Sequence, residues 1–391
     1  MPGAQAAAVP FTAASHRYRE KIFTPTSVAA AASFAAGDMS PPGGAIKSYG
    51  YLRSLDIHIQ GSGGTGGTFG TADGPFNFFS QMSVTQPNGE EMYGGPTYSG
   101  YHGLLAAAHA GRFLNDDFRT FPSFSSTVTA PTWNLTIPFE INPEYGLGSL
   151  PNQDFSAPWK LQLTRNSSAN LYQTTPTTTP AFTVDVFMNC WTVPSPTNPL
   201  NPQLTQEVAP ALLGTLSKWT IQQYVISGGS NQNVLLQRKG NAIRELVAII
   251  RNSSAVRVAT TGNFPDPLTI RWDGTVIRSN DRPALIIDDY YRTAGGIAAA
   301  TPLTADTGVV PLVMSDVSGA DAQGTADGFG MNSFWGTVQS STLEYDGTWG
   351  ATVTLLEMLT NDVQFVNLAG NPYAFAYSGY LQAPAQPIAR P

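Results

Sequence analysis

Pro194-Ser195-Pro196-Thr197-Asn198-Pro199-Leu200-Asn201-Pro202 places four prolines within nine residues. Each proline lacks an N–H donor and fixes φ, so the stretch cannot lie inside a sheet and reads as a semi-rigid linker. It stands at the middle of a 391-residue chain and predicts two domains of similar size. The boundaries that follow are an N-terminal arm over 1–44, a first domain over 45–193, the linker over 194–215, a second domain over 216–382 and a tail over 383–391.

Outward from the linker, both halves carry the period of half-buried strands. Tyr49, Tyr51, Leu55, Ile57 and Ile59 alternate with Ser54, Asp56, His58 and Gln60. Phe76, Phe78, Met82 and Val84 repeat the alternation, and Gln86-Pro87-Asn88-Gly89 supplies a turn. Further strands are expected over Trp133–Ile141, Trp159–Thr164 and Phe182–Val193, with a loop over Gly61–Gly74. One helix is expected over Tyr101–Ala110, capped by Ser99 and ended by Gly111.

The second half repeats the theme just under 200 residues later. Ile243–Asn252 answers Ile46–Gln60. Leu268, Ile270 and Trp272, followed by the turn Asp273-Gly274 and Thr275–Arg278, answer Phe76–Val84. Gly350–Met358 answers Phe182–Val193. Short strands with few helices predict an all-β protein of sandwiches or barrels.

The arm reads differently. Pro10 can open a helix with Phe11, Ala14, Tyr18 and Ile22 on one face, and His16, Arg17, Arg19, Glu20 and Lys21 on the other. This face is either a solvated surface or a contact with an anionic layer, such as lipid headgroups or packaged nucleic acid.

Composition excludes several classes. The chain holds 20 basic and 27 acidic residues, a net charge of −7, which is not the basic footprint of a nucleic-acid binder. Charged residues make up 12% of it, against about 25% in an average soluble protein, which suits a surface covered by permanent partners. Cys190 is the single cysteine, so intrachain disulfides and multi-cysteine metal sites are out. No apolar run reaches the ~18 residues of a membrane span. The Ala-rich stretch Val28–Ala36 is a poor signal peptide, so an intracellular product without a targeting segment is expected.

Chemistry is sparse. His16, His58, His102 and His109 form no HExxH pair, and none of the five lysines closes a P-loop. Gly61-Ser62-Gly63-Gly64-Thr65-Gly66-Gly67 has no helix behind it to aim N–H groups at a phosphate. No Gly-x-Ser-x-Gly elbow occurs, and Cys190 reads as a buried structural thiol. Glu90-Glu91, Asp116-Asp117 and Asp288-Asp289 point to opposite faces of extended chain and make poor acid–base pairs. Asp316, Asp321 and Asp327 lack EF-hand spacing. No catalytic residue, metal or cofactor is expected.

Taken together, the equal β-halves, the proline linker, the amphipathic N-terminal helix and the low charge resemble the double jelly-roll major capsid proteins, above all those of tailless, internal-membrane, tectivirus-like bacteriophages. The order Ile46–Gln60, Phe76–Val84, the Pro-Asn-Gly turn, Tyr93–Tyr98 and the helix at Tyr101–Ala110 is similar to that family, as is the course of Asn241–Asn252 and Leu268–Tyr291. The resemblance implies two consecutive eight-stranded jelly rolls, a short N-terminal helix and a few short helices in loops. It implies a homotrimer of pseudo-hexagonal outline that joins neighbouring trimers, penton and minor capsid proteins in an icosahedral virion, after synthesis in the host cytoplasm. It places the N-terminal helix on the inner face towards an internal membrane, with His16, Arg17, Arg19 and Lys21 as contacts. Asn166–Pro180 and Ala294–Thr307 become candidates for outer towers. Sequence-specific nucleic acid is not among the expected partners. The rival reading from another class is a carbohydrate-binding or glycan-cleaving β-sandwich, for which seven tryptophans and fifteen tyrosines could supply stacking platforms.

Overall fold

The structure is a computed structural model and describes residues 11, 15–24, 28–31, 33–69, 76–95, 132–141, 146–194, 210, 213–237, 242–272, 274–286, 308–313, 335–336 and 342–364. Among the described residues the first half contributes eleven strands: β1 Arg17–Phe23, β2 Gly37–Asp38, β3 Tyr51–Ser62, β4 Thr68–Phe69, β5 Phe79–Thr85, β6 Glu91–Gly95, β7 Thr132–Pro138, β8 Leu150–Pro151, β9 Lys160–Arg165, β10 Tyr172–Thr174 and β11 Ala181–Trp191. The second contributes nine: β12 Leu216–Val225, β13 Asn231–Gln237, β14 Ala242–Arg251, β15 Leu268–Trp272, β16 Thr275–Asp281, β17 Val309–Val313, β18 Trp335–Gly336, β19 Thr342–Thr348 and β20 Leu355–Gln364.

Roll one packs the sheet β1-β11-β3-β7, with β8 added to β3, against the strands β6-β5-β9-β2. Its core is written in antiparallel rows across three strands. Val184 stands beside Ile59 and Trp133, Val186 beside Ile57 and Leu135, and Met188 beside Leu55 and Ile137. All nine are buried, because period-two alternation turns every second side chain inward. Tyr93, Val84 and Leu161 form the facing row. Phe78, Trp133 and Phe182 fill one end of the core with edge-to-face contacts, their centroids 5.0, 5.5 and 6.1 Å apart.

Roll two packs β17-β14-β20-β12 against β13-β19-β15-β16. The row Val234, Tyr345 and Ile270 on the outer sheet faces Met358, Ala248 and Val310 on the inner one. The predicted strand Gly350–Met358 begins later, at Leu355, because Ala351 and Thr352 form a turn. The helix expected over Tyr101–Ala110 lies outside the described residues, as do linker residues 195–209.

The two rolls are joined by more than the linker. β12 pairs in parallel with β6, Trp219 beside Tyr93 and Thr220 beside Gly94. The inner sheets thereby merge into one path, β17-β14-β20-β12-β6-β5-β9-β2. Lys218, itself buried, reaches across the join to Glu90. Val247, Ile249, Val309 and Leu359, on the face of the merged sheet turned away from the core of roll two, belong to one apolar cluster with Trp219, Tyr93 and the core of roll one. β14 and β20 are therefore buried on both faces, which is why Leu246-Val247-Ala248-Ile249-Ile250 is an unbroken apolar run. On the same face, Arg251 Nε donates to Glu357 Oε2 at 2.8 Å and Gln223 Nε2 to Glu357 Oε1 at 2.9 Å, so this buried charge pair is hydrogen-bonded on both carboxylate oxygens.

Beside the join, Gly94 lets β6 close on β5. Its φ is +75°, and a Cβ there would lie 1.8 Å from the Met82 carbonyl oxygen. Gly94→Ala is expected to destabilise the protein by about 2–4 kcal/mol, read as a lowered denaturation midpoint. Burial pushes the Cys190 thiol up to about 12. Cys190 is expected to stay unlabelled by a thiol reagent in the folded protein at about pH 8 and to react stoichiometrically once unfolded, which absorbance titration checks.

Candidate assembly surface

The basic residues singled out in the arm lie on a strand. Phe11 has helical backbone, but the helix does not run on through Tyr18 and Ile22 as its spacing predicted; Arg17–Phe23 is β1. Tyr18 and Ile22 are four apart, a separation that shares a face in a helix and in a strand alike. Pairing with β11 decides the matter, in the antiparallel register from Arg17 beside Trp191 to Phe23 beside Val186. β1 and β2 are also edge strands of the two sheets of roll one, so these two segments of the predicted arm pair with the roll.

As a strand, β1 sends Arg17, Arg19 and Lys21 to its exposed face. Arg19 reaches Asp56 at 3.3 Å and lies over the Phe187 ring at 4.7 Å. Lys21 reaches Asp185 at 3.5 Å. The Arg17 guanidinium lies 5.5 Å from the centre of the Trp191 ring, which also carries Arg53 at 4.6 Å. His16 is fastened by its backbone: its N–H donates to Thr192 Oγ1 and its carbonyl accepts from the Thr192 N–H, both at 2.9 Å. All four predicted residues therefore lie along one edge of a sheet, as the described residues form it.

Sequence reasoning missed the acidic half of this surface. Asp56 also accepts from Asn189 Nδ2 at 2.8 Å and Thr136 Oγ1 at 3.0 Å, and Asp185 from Thr24 Oγ1 at 2.8 Å. His58 stands beside Asp185 in the ladder and holds Asn134 at 2.6 Å. The available signal was the alternation of Asp56 and His58 with the core residues of β3, which fixed their face but not what lay across it.

The opposite face of β1 closes the side of the sandwich. The Tyr18 and Tyr49 rings lie 4.5 Å apart, and Lys47 Nζ donates to Glu20 Oε1 at 2.5 Å while Tyr18 Oη donates to Glu20 Oε2 at 2.8 Å. Lys47, and then Tyr18, hold the Glu20 carboxyl below its ordinary range, and the same bond to Glu20 raises Lys47. The contribution of the carboxylate is present above its unfolded value and is lost as the pH falls through the lowered one. Phe11, fully buried, meets Tyr51 at 5.4 Å and Trp191 at 6.1 Å, with Leu213 packed against the group. Such a burial is worth about 1.5–3 kcal/mol.

Of the two tower candidates, Ala294–Thr307 lies outside the described residues. Asn166–Pro180 folds back on roll one: Ser168–Leu171 is a short helix, β10 pairs with β4, and Thr178 and Thr179 bridge Thr65 and Ala31. No helix among the described residues is long and apolar enough to cross a membrane.

Neither a family model nor a curated protein matches the chain by sequence. Solved structures do match by shape. Sulfolobus turreted icosahedral virus is similar at 12% identity and a TM-score of 0.55 over 93% of this chain and 97% of the other. A separate crystal structure of that virus's major capsid protein gives 12% identity and 0.51 over 92% and 98%. PBCV-1 VP54, fitted into a reconstruction of the virophage Sputnik, gives 11% identity and 0.54 over 89% and 94%. At these identities the likeness is one of fold, and it extends over both rolls: the chain is a double jelly roll.

Proposed function

We propose that this chain is a major capsid protein, a structural subunit without catalytic function that self-associates into the shell of an icosahedral virion. The observation that carries the reading is the double jelly roll itself, which spans nearly the whole of this chain and of the capsid protein it resembles. The low charge agrees with it, since the cores of permanent interfaces are depleted in charged residues. The carbohydrate-binding alternative gains no support from these structural relatives.

In this reading two rolls per chain give a homotrimer six lobes, hence a pseudo-hexagonal outline that tiles beside its neighbours. Penton and minor capsid proteins are its partners at the vertices, and the host cytoplasm is where it is made. His16, Arg17, Arg19 and Lys21 form the inner contact, by way of the edge strand and not of a helix, towards an anionic layer such as an internal membrane. Arg19 and Lys21 already hold Asp56 and Asp185, so an anionic layer competes with these carboxylates, and Arg17 is the cation with no carboxylate partner among the described residues.

Size-exclusion chromatography with light scattering tests the self-association. A species near three times 41.6 kDa, or a larger assembly, is expected, and a monomer at every concentration overturns the reading. For the inner contact, replacing Arg17, Arg19 and Lys21 together by Ala is expected to lower particle yield or lipid content with the rolls still folded by circular dichroism. Unchanged particles reject that role.

A further inference from the structure

We propose that β1 is an exchangeable strand: it opens from β11 ahead of the rest of roll one, and the β1 of a second copy of this chain takes its place. The inference rests on the self-associating role proposed above and names a contact through which copies are linked.

Three observations carry it. First, β1 lies at the end of its sheet with β11 as its one ladder neighbour among the described residues, and none of its seven residues is fully buried. Its neighbour β11 buries a side chain at every second position. β1 is thus held by its ladder and by Tyr18, Ile22 and Phe23, which pack against the core of roll one only partly buried, as in a segment that opens below the global unfolding free energy.

Second, the side-chain anchors are open to solvent. In the pairs Arg19–Asp56, Lys21–Asp185 and Lys47–Glu20 the basic members are 58%, 51% and 52% exposed and the acidic ones 21%, 24% and 28%. Exposed pairs of this kind are screened by salt. The ionic strength of the medium therefore sets how readily the strand leaves.

Third, strand and receptor are separable. Phe11, Arg17, Arg19, Glu20 and Lys21 find their partners on Tyr51 and Trp191, on Trp191, on Asp56 and Phe187, on Lys47 and on Asp185. Every one of those partners comes from sequence beyond the arm. A copy whose β1 has left keeps a complete receptor: the β11 edge from Val186 to Trp191, two carboxylates, one lysine and an aromatic socket. A bare edge of this kind templates an incoming strand, and the strand that satisfies its register, charges and socket together is the identical one from another copy.

The register supplies the test, because Arg19 stands directly beside Asn189. In a Cys190→Ser background, one variant carries Arg19→Cys and a second carries Asn189→Cys. The two are mixed, held at about 1 M salt, returned to low salt and oxidised. A disulfide-linked pair of the two variants is expected, several-fold more abundant than without the salt step. A single chain carrying both substitutions must close its own disulfide, which certifies that the fold tolerates them. Closure in that chain with no linked pair in the mixture overturns the proposal, as does equal linking to a Gln60→Cys partner, which would mark random collision. Hydrogen exchange on the unsubstituted protein gives a second reading. The amides of Arg17–Phe23 are expected to exchange roughly tenfold faster at high salt than at low, with those of β3 unchanged. Equal protection of both strands at every salt concentration overturns the opening step. Light scattering of the unsubstituted protein reports self-association separately, so loss of exchange is distinguishable from loss of assembly.

Discussion

Two residue pairs, Trp219 beside Tyr93 and Thr220 beside Gly94, turn two sandwiches into one body. A parallel ladder of that length is weak by itself. What makes it hold is where it sits, between two half-sheets whose side chains are already committed. Trp219 and Tyr93 are almost fully buried against a common apolar cluster, and Lys218 carries its charge across the seam to Glu90. Separating the rolls would draw Trp219 out of that cluster, a burial worth about 1.5–3 kcal/mol, and would part Lys218 from its carboxylate. The proline-rich stretch between the rolls thus crosses a junction fixed by packing and need not fix it.

That join sets the character of roll two. A strand inside a merged sheet, with apolar contacts on both faces, has no polar side left to show. β14 and β20 accordingly lose the alternation that β3, β7 and β11 keep. Where polarity survives on the doubly covered face, at Arg251 and Glu357, it is paired and hydrogen-bonded, because an unpartnered charge there would carry the full cost of its desolvation. The scarcity of charge in the composition has one source inside the chain, in strands buried on both faces, and, under the function proposed above, a second in the surface that subunits present to each other.

This division governs what the sequence disclosed. Alternation over Leu55–Ile59 and over Phe182–Cys190 is a local signal, and the strands are where it put them. The carboxylates Asp56 and Asp185 were visible as polar positions, yet their pairing with Arg19 and Lys21 crosses more than 30 residues in one case and more than 160 in the other, separations on which spacing is silent. The join between β6 and β12 is of the same kind. The misread helix has a different cause. Phe11, Ala14, Tyr18 and Ile22 satisfy a helical stripe, but Arg17, Arg19 and Lys21 occur at every second position, a spacing that a helix would scatter and a strand aligns. Both patterns are in the sequence at once. The free edge of β11 resolves them, since an unpaired ladder there would cost more than the modest helix propensity of seven residues returns.

The same edge explains why the charges are placed as they are. An edge strand rich in Lys and Arg resists indiscriminate pairing with other chains, because any newcomer must accommodate its cations. Here the accommodation already exists on the receptor side, in Asp56 and Asp185, and Glu20 meets Lys47 on the other face of the strand. Charge of one sign runs along the outer face of β1, and the opposite sign waits on β3 and β11 beneath it. A foreign strand lacking that pattern would cover two carboxylates without supplying their cations, whereas another copy of residues 11–23 would supply both. Discrimination of this sort comes from what is left unpaired in the wrong partner and needs few contacts in the right one. In a protein with so little charge, concentrating it on this strand and its receptor gives this edge of roll one a strict choice of what closes it.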